Sequence, residues 1–114
     1  MDPFIIAEIG SNWHTLDDCL RAPHIAKDCG ASAVKFQHFT HYDLYGTHDQ
    51  EWDNQANPMP LIWMRTIADE CTKAGIEFMC TVFNYTLLRT IDLYVKRHKV
   101  ASSNMRDEYM LAEL

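Results

Sequence analysis

The sequence predicts an α/β fold in which four short parallel strands alternate with helices. Four apolar segments have the length of strands, and most of them are bracketed by Gly, Asn or Ser. The stretches between these segments carry apolar residues at helical spacing. Because strands that alternate with helices are joined by right-handed crossovers, we expect them to pair in parallel within one sheet.

The predicted elements follow one another in strict alternation. Strands are expected at residues 4–9, 33–37, 76–83 and 98–102. Helices are expected at residues 17–29, 61–74, 85–95 and 106–114. Pro23 fits the middle of the first helix poorly and predicts a kink or a later start, whereas Gly30 and Gly75 are placed to end the first two helices. The connection 38–59 is long, and connections of this size are usually functional or mobile. It could serve as a lid or as a contact surface, and the sequence does not decide between these two roles.

Composition excludes several classes of function. The chain has 114 residues, which suits one globular domain. Its formal net charge of −6 makes nucleic acid a poor partner, since binding to phosphates needs clustered Lys and Arg. Its apolar runs are too short to cross a bilayer, so no membrane association is expected. The four cysteines contain no C-x-x-C pair, which argues against a zinc ribbon, and Cys80 lies in an apolar run and is expected to be buried. With no signal peptide, reduced thiols in a cytoplasmic protein are predicted.

Polar residues occur where the strands of a parallel sheet should be apolar. They lie at or near the carboxyl ends of the predicted strands: Glu8, Lys35, Gln37, Thr81, Lys99 and Ser102. Lys35 and Gln37 are two residues apart and therefore point to the same face. A buried unpaired charge costs several kcal/mol, by an order-of-magnitude estimate, and ligands of α/β folds bind at the carboxyl ends of strands. A shared polar site therefore explains this placement.

The donors in this set suit an anionic ligand. Two lysines, an amide and two hydroxyls can bind a molecule that carries phosphate and carboxylate groups. Glu8 is the only acidic residue of the set, and it is suited to accept hydrogen bonds from the hydroxyls of a polyol or to act as a base. The alternatives are a structural ion pair between Glu8 and Lys35, and a helix-capping role for Thr81 and Ser102.

Four segments of the chain carry a family resemblance. Residues 4–12, 30–37, 75–83 and 99–103 resemble, in order and with suitable spacing, the first four strands of the N-acetylneuraminate (sialic acid) synthase family. The resemblance implies that the chain is the N-terminal half of a (β/α)8 TIM barrel. In the family, the barrel is followed by a small antifreeze-like domain.

The resemblance also implies an activity. The family condenses phosphoenolpyruvate with an open-chain N-acetylated sugar, such as N-acetylmannosamine, to give a nine-carbon 2-keto acid and phosphate. It uses a divalent metal, Mn or Mg, to polarise the aldehyde. By resemblance, Glu8 contacts the sugar as the catalytic residue, and the other five polar residues hold phosphoenolpyruvate. Relatives that use another sugar, such as legionaminate or pseudaminate synthases, remain open, as does an aldolase of the sugar-phosphate type.

The chain also departs from the family pattern. Asn104 stands where the family often has an acid, and Trp13 and His14 replace the family's usual residues after the first strand. A complete barrel takes about 250 residues, and the family's metal-binding histidines lie on later strands, so the chain is expected to be a truncated piece that binds no metal and is inactive alone. The alternative is a non-catalytic half-barrel module for binding or assembly. Because an open half-barrel leaves two unpaired edges, self-association is expected.

Overall fold

Three parallel strands form the centre of the structure, a computed structural model that describes residues 2–56, 58–101, 104–105 and 107–113. The strands β1 (Ile6–Gly10), β2 (Ala33–His38) and β3 (Glu77–Val82) pair in the order β1-β2-β3. Six helices are described: α1 (Leu16–Asp28), α2 (His41–Tyr45), α3 (Gln50–Ala56), α4 (Met64–Ala74), α5 (Tyr85–Ile91) and α6 (Glu108–Glu113). A 3-10 turn, Leu61–Trp63, precedes α4. No helix within these ranges is long and apolar enough to span a membrane.

The predicted fourth strand is not formed in the part of residues 98–102 that the structure describes. Residues 98–101 carry no strand pairing, and Ser102 lies outside the described residues. Two side-chain contacts are made at the start of this segment. Arg97 forms an ion pair with Glu77 (2.7 Å) at the amino end of β3, and His98 contacts Asp92 (2.9 Å) just after α5. The α/β class and three of the four strands are therefore confirmed, and the four-stranded half-barrel is not.

The first helix starts earlier than its proline suggests. Thr15 caps α1 in a capping box with Asp18, so the helix begins at Leu16 and Pro23 lies inside it. The later start that Pro23 predicted is therefore wrong. Pro23 is fully buried, so its ring packs within the fold while the helix lacks one backbone hydrogen bond.

The two faces of the sheet have opposite character. One face carries Val34, Phe36, Phe78 and Val82, which are buried in the same apolar core as residues of α1 and α4. Cys80 belongs to this face and is buried, as predicted. Because side chains alternate along a strand, the residues between these apolar positions point to the other face. That second face carries the polar residues singled out in the sequence.

The long connection between β2 and α4 is folded rather than open. We call residues 38–59 the insertion; Asn57 lies outside the described residues. It contains α2, which Thr40 caps in a capping box and Gly46 ends in a left-handed conformation (φ 74°), and α3. At its base, the backbone N–H of Met59 donates to the carbonyl of Gln37 (3.4 Å). The insertion is therefore anchored at the carboxyl end of β2.

Candidate functional site

Three polar side chains, one from each strand, form a continuous row on the second face of the sheet. Glu8 pairs with Lys35 in the β1–β2 register, and Lys35 lies between β1 and β3. The Lys35 ammonium is 2.5 Å from a Glu8 carboxylate oxygen and donates to the Thr81 hydroxyl at 3.5 Å. The Lys35 side chain is only 14% exposed, whereas the Glu8 side chain is 52% exposed. The row thus places a partly buried cation beside an anion that solvent reaches.

Gln37 extends this row toward the end of β1. It is paired with Thr81 in the β2–β3 register, and its side-chain amide donates to the hydroxyl of Ser11 at 3.3 Å. The register shifts between Glu8 and Gly10, and Gly10 has a left-handed φ of 56°. A side chain at Gly10 would lie 3.4 Å from Glu8 Oε1 and 3.7 Å from Gln37 Nε2. The left-handed backbone therefore favours glycine here, and a Cβ at this position would be in ordinary van der Waals contact with both polar side chains.

The structure tests both simpler alternatives. The ion pair between Glu8 and Lys35 is present, but it lies inside a larger polar row rather than standing alone. Thr81 caps no helix, because Asn84 caps α5 by accepting from the backbone N–H of Leu87 at 2.9 Å. The capping role considered for Thr81 is therefore wrong.

Lys99 and Ser102 are not joined to this row. Lys99 is exposed and donates to the carbonyl of Val100 at 2.9 Å, and within residues 2–101 no contact links it to Glu8, Lys35 or Thr81. Ser102 lies outside the described residues. Their place in a ligand site stays a prediction.

A cavity adjoins the row at Ser11. Its volume is about 590 Å³, and its walls come from the turn after β1 and from α3: Ser11, Asn12, Trp13, His14, Asn54, Gln55 and Ala56. Most of these side chains are neutral hydrogen-bonding groups. The sequence alone does not assign Asn54 or Gln55 to a site, since only the fold of the insertion brings them to the end of β1.

The turn after β1 is held in place by Asp18. Its carboxylate accepts from the backbone N–H groups of His14 (2.8 Å) and Thr15 (3.1 Å) and from Arg21 (2.7 Å). These hydrogen bonds, the one from His14 first, lower the pKa of Asp18 to about 2. The carboxylate therefore stays charged near neutral pH and fixes one wall of the cavity.

Comparison with known proteins identifies the family. The sequence model of the NeuB family matches residues 24–114 of this chain. The chain belongs to the NeuB family.

Two solved structures resemble this NeuB-family chain. One is an N-acetylneuraminic acid (sialic acid) synthetase from Leptospira borgpetersenii serovar Hardjo-bovis in complex with citrate, at 26% identity and a TM-score of 0.83 over 98% of this chain and 41% of that one. The other is the spore coat polysaccharide biosynthesis protein SpsE from Bacillus subtilis, at 29% identity and a TM-score of 0.70 over 87% of this chain and 29% of that one. The chain therefore spans well under half the length of either structure. A search of curated sequences gave no significant match.

The described residues do not fit the divalent metal that the family resemblance implies. No three His, Cys, Asp or Glu side chains among residues 2–56, 58–101, 104–105 and 107–113 are grouped so that they could hold an ion. Burial raises the pKa of the Cys71 and Cys80 thiols to about 12, so both are protonated near neutral pH and poor ligands. The residues that the structure describes therefore form no site for this metal.

Proposed function

We propose that this chain carries the phosphoenolpyruvate-binding part of a sialic acid synthase-like site. The observation that carries the proposal is the row formed by Glu8, Lys35 and Thr81, which crosses three parallel strands on the second face of the sheet. Membership of the NeuB family and the fold of the Leptospira sialic acid synthetase support the same assignment. The citrate in that structure is a small polycarboxylate, which belongs to the same broad class of anion as phosphoenolpyruvate.

Lys35 is the anchor for the anion. Its ammonium is largely removed from water, so its attraction to a phosphate or carboxylate is stronger than that of a surface lysine. The Thr81 hydroxyl and the Gln37 amide supply neutral donors beside it. Without ligand, the Glu8 carboxylate neutralises the charge of Lys35. A bound anion neutralises Lys35 instead, and the Glu8 carboxylate is then available to accept hydrogen bonds from a second substrate.

The acceptor sugar is proposed to lie between Glu8 and the cavity next to Ser11. An open-chain N-acetylated sugar presents many hydroxyls and an amide, and the cavity offers neutral partners such as Asn12, Asn54 and Gln55. Glu8, freed from Lys35, accepts from a sugar hydroxyl.

The reaction that this arrangement serves forms one carbon–carbon bond. The enol carbon of phosphoenolpyruvate attacks the aldehyde carbon of the sugar, water adds at the carbon that bears the phosphate, and phosphate leaves with cleavage of its C–O bond. The described residues contribute by holding the two substrates in mutual position, which alone can supply a large share of a rate enhancement. The row supplies the anchor at one end, and the cavity supplies the recognition of the other substrate.

Calorimetric titration with phosphoenolpyruvate tests the proposal. The wild-type chain should bind, and Lys35→Ala should weaken binding by about tenfold or more, because a charge-assisted contact contributes about 1.5–3 kcal/mol. Lys73→Ala is the matched control, since Lys73 is an exposed lysine of α4 whose side chain pairs with Glu70. Equal binding by the Lys35 variant and the wild type would remove the anion-site assignment.

A non-catalytic binding module is the second candidate. It is favoured by one observation, the absence of a fitting metal-ligand group in the part of the chain that the structure describes. Incubation with phosphoenolpyruvate, N-acetylmannosamine and Mn²⁺ separates the two candidates. Mass-spectrometric detection of a nine-carbon 2-keto acid supports the enzyme, whereas phosphoenolpyruvate binding without this product supports the module.

A further inference from the structure

The insertion crosses the carboxyl edge of the sheet from the β3 side to the β1 side. At one side, Phe39 packs its ring against Phe83, the first residue after β3 (ring centroids 5.6 Å apart). At the other side, Asn54 and Gln55 of α3 share a cavity with the turn after β1. Since β2 lies between β1 and β3, the insertion passes the end of the strand that carries Lys35 and Gln37.

The insertion has its own aromatic packing, which joins its two helices into one unit. The Trp52 ring contacts the rings of Phe39 (5.8 Å), His41 (5.3 Å) and Tyr45 (5.8 Å). The His41 ring donates through Nδ1 to the carbonyl of Thr47 at 2.6 Å. Because these ring contacts join α2 to α3, the position of α3 depends on where α2 is held.

One polar contact ties this unit to the end of β3. The side-chain amide of Asn84 donates to Asp43 Oδ1 at 3.0 Å, while its carbonyl oxygen accepts from the backbone N–H of Leu87 at the start of α5. The other Asp43 oxygen accepts from the backbone N–H of Thr40. Asn84 is therefore one side chain with two separable roles, a helix cap and a tether.

We propose that Asn84 and Asp43 are positioning residues for the ligand site, because their hydrogen bond sets where the insertion lies across the carboxyl edge. The inference rests on the proposed function, since the ligand whose binding it tunes is the phosphoenolpyruvate of that site. Neither residue contacts Lys35, so both act through the placement of the insertion at the carboxyl end of β2 and around the cavity.

An exchange of the two side chains tests the tether. Asn84→Asp keeps an oxygen to cap α5 but sets two carboxylates against each other, so it breaks the tether alone. Asp43→Asn combined with Asn84→Asp restores a donor and an acceptor in exchanged positions and has the net charge of the wild type. We expect Asn84→Asp to weaken phosphoenolpyruvate binding about tenfold, because it replaces one charge-assisted hydrogen bond with repulsion between two carboxylates. The double variant should bind phosphoenolpyruvate with an affinity within about twofold of that of the wild type.

Two further readouts separate positioning from simple loss of structure. Two facing carboxylates share a proton in acid, so the loss of binding in Asn84→Asp should become smaller as the pH falls. A loss of binding caused by general unfolding would not become smaller at low pH. Hydrogen exchange of the backbone amides of residues 39–56 should become faster in Asn84→Asp and return to the wild-type rate in the double variant. Equal binding by Asn84→Asp and the wild type would overturn the positioning role and leave the proposed function standing. If the wild type itself does not bind phosphoenolpyruvate, the proposed function fails, and the positioning role fails with it.

Discussion

Glu8 and Lys35 stand opposite each other in the β1–β2 register, and their charged groups are 2.5 Å apart. The pair links a carboxylate that is half exposed to an ammonium that is largely buried. This asymmetry has a functional consequence. An anion that approaches from solvent competes with Glu8 for Lys35, and removal of the competitor should help the anion to bind.

Substitution of Glu8 is therefore expected to strengthen anion binding. Glu8→Gln removes the charge that neutralises Lys35, so phosphoenolpyruvate should bind several-fold more tightly in calorimetry. Because the Glu8 side chain is half exposed, water screens its charge, and a water-screened pair of charges is worth about 1 kcal/mol. Glu51→Gln is the matched control, because it removes the same charge from the exposed face of α3. Weaker binding by the Glu8 variant would mean that Glu8 holds the ligand rather than competing with it.

Gly10 offers a test of the link between the end of β1 and the polar row. Gly10→Ala and Gly46→Ala both place a side chain in a left-handed conformation, so each should lower the free energy of unfolding by about 1–2 kcal/mol. Only Gly10 has Glu8 and Gln37 within 4 Å of the added Cβ, whereas Gly46 has nothing within that distance. Phosphoenolpyruvate binding should therefore fall in the Gly10 variant and stay unchanged in the Gly46 variant. Equal binding by the two variants would separate Gly10 from the site.

Asp18 predicts a pH dependence of stability. Hydrogen bonds from His14, Arg21 and Thr15 lower its pKa from 3.8 to about 2, so its contribution is present above pH 3.8 and is lost as the pH falls through about 2. The melting temperature of Asp18→Ala should therefore lie below that of the wild type at neutral pH, and the gap should close as the pH falls toward 2. Asp17→Ala, in the same helical turn, is the control. A gap that is constant across this pH range would contradict the role of the carboxylate charge.

Self-association is a further prediction, and it follows from the edge strand. Within the described ranges β1 pairs only with β2, and Phe4, Ile5 and Ile6 are 44%, 50% and 39% exposed beside the open edge. Open apolar edges are templates for pairing, so sedimentation velocity should detect dimers or larger species at micromolar concentration. Ile5→Lys should shift the distribution toward monomer, whereas Ile62→Lys, at an 86% exposed position before α4, should not. A monodisperse wild-type monomer would refute this prediction.

Much of the fold and part of the site could be predicted from local sequence. The pattern of apolar residues located β1, β2 and β3 to within two residues, because each strand is short and bracketed by turn residues. Lys35 and Gln37 could be assigned to one face from their spacing alone, and their nearness to Glu8 and Thr81 followed from the alternation of strands and helices. These features depend on nearest neighbours in the chain or on general rules of parallel sheets.

The remaining features depend on contacts between distant residues. Asn84 and Asp43 are 41 residues apart, so the tether leaves no periodic signal in the sequence. Residues 98–101 are predicted by local sequence to form a strand, yet they carry no strand pairing, although Arg97 contacts Glu77 at the amino end of β3. A contact such as the one between Asn84 and Asp43 therefore has to be read from the structure.

A crystal structure of the chain soaked with phosphoenolpyruvate would test the anion site at Lys35 most directly. We expect density for the anion beside Lys35 on the second face of the sheet, with a phosphate or carboxylate oxygen within hydrogen-bond distance of Lys35 Nζ and with the Glu8 carboxylate turned away from it. A bound anion elsewhere, with the contact between Glu8 and Lys35 unchanged, would contradict this assignment of the site.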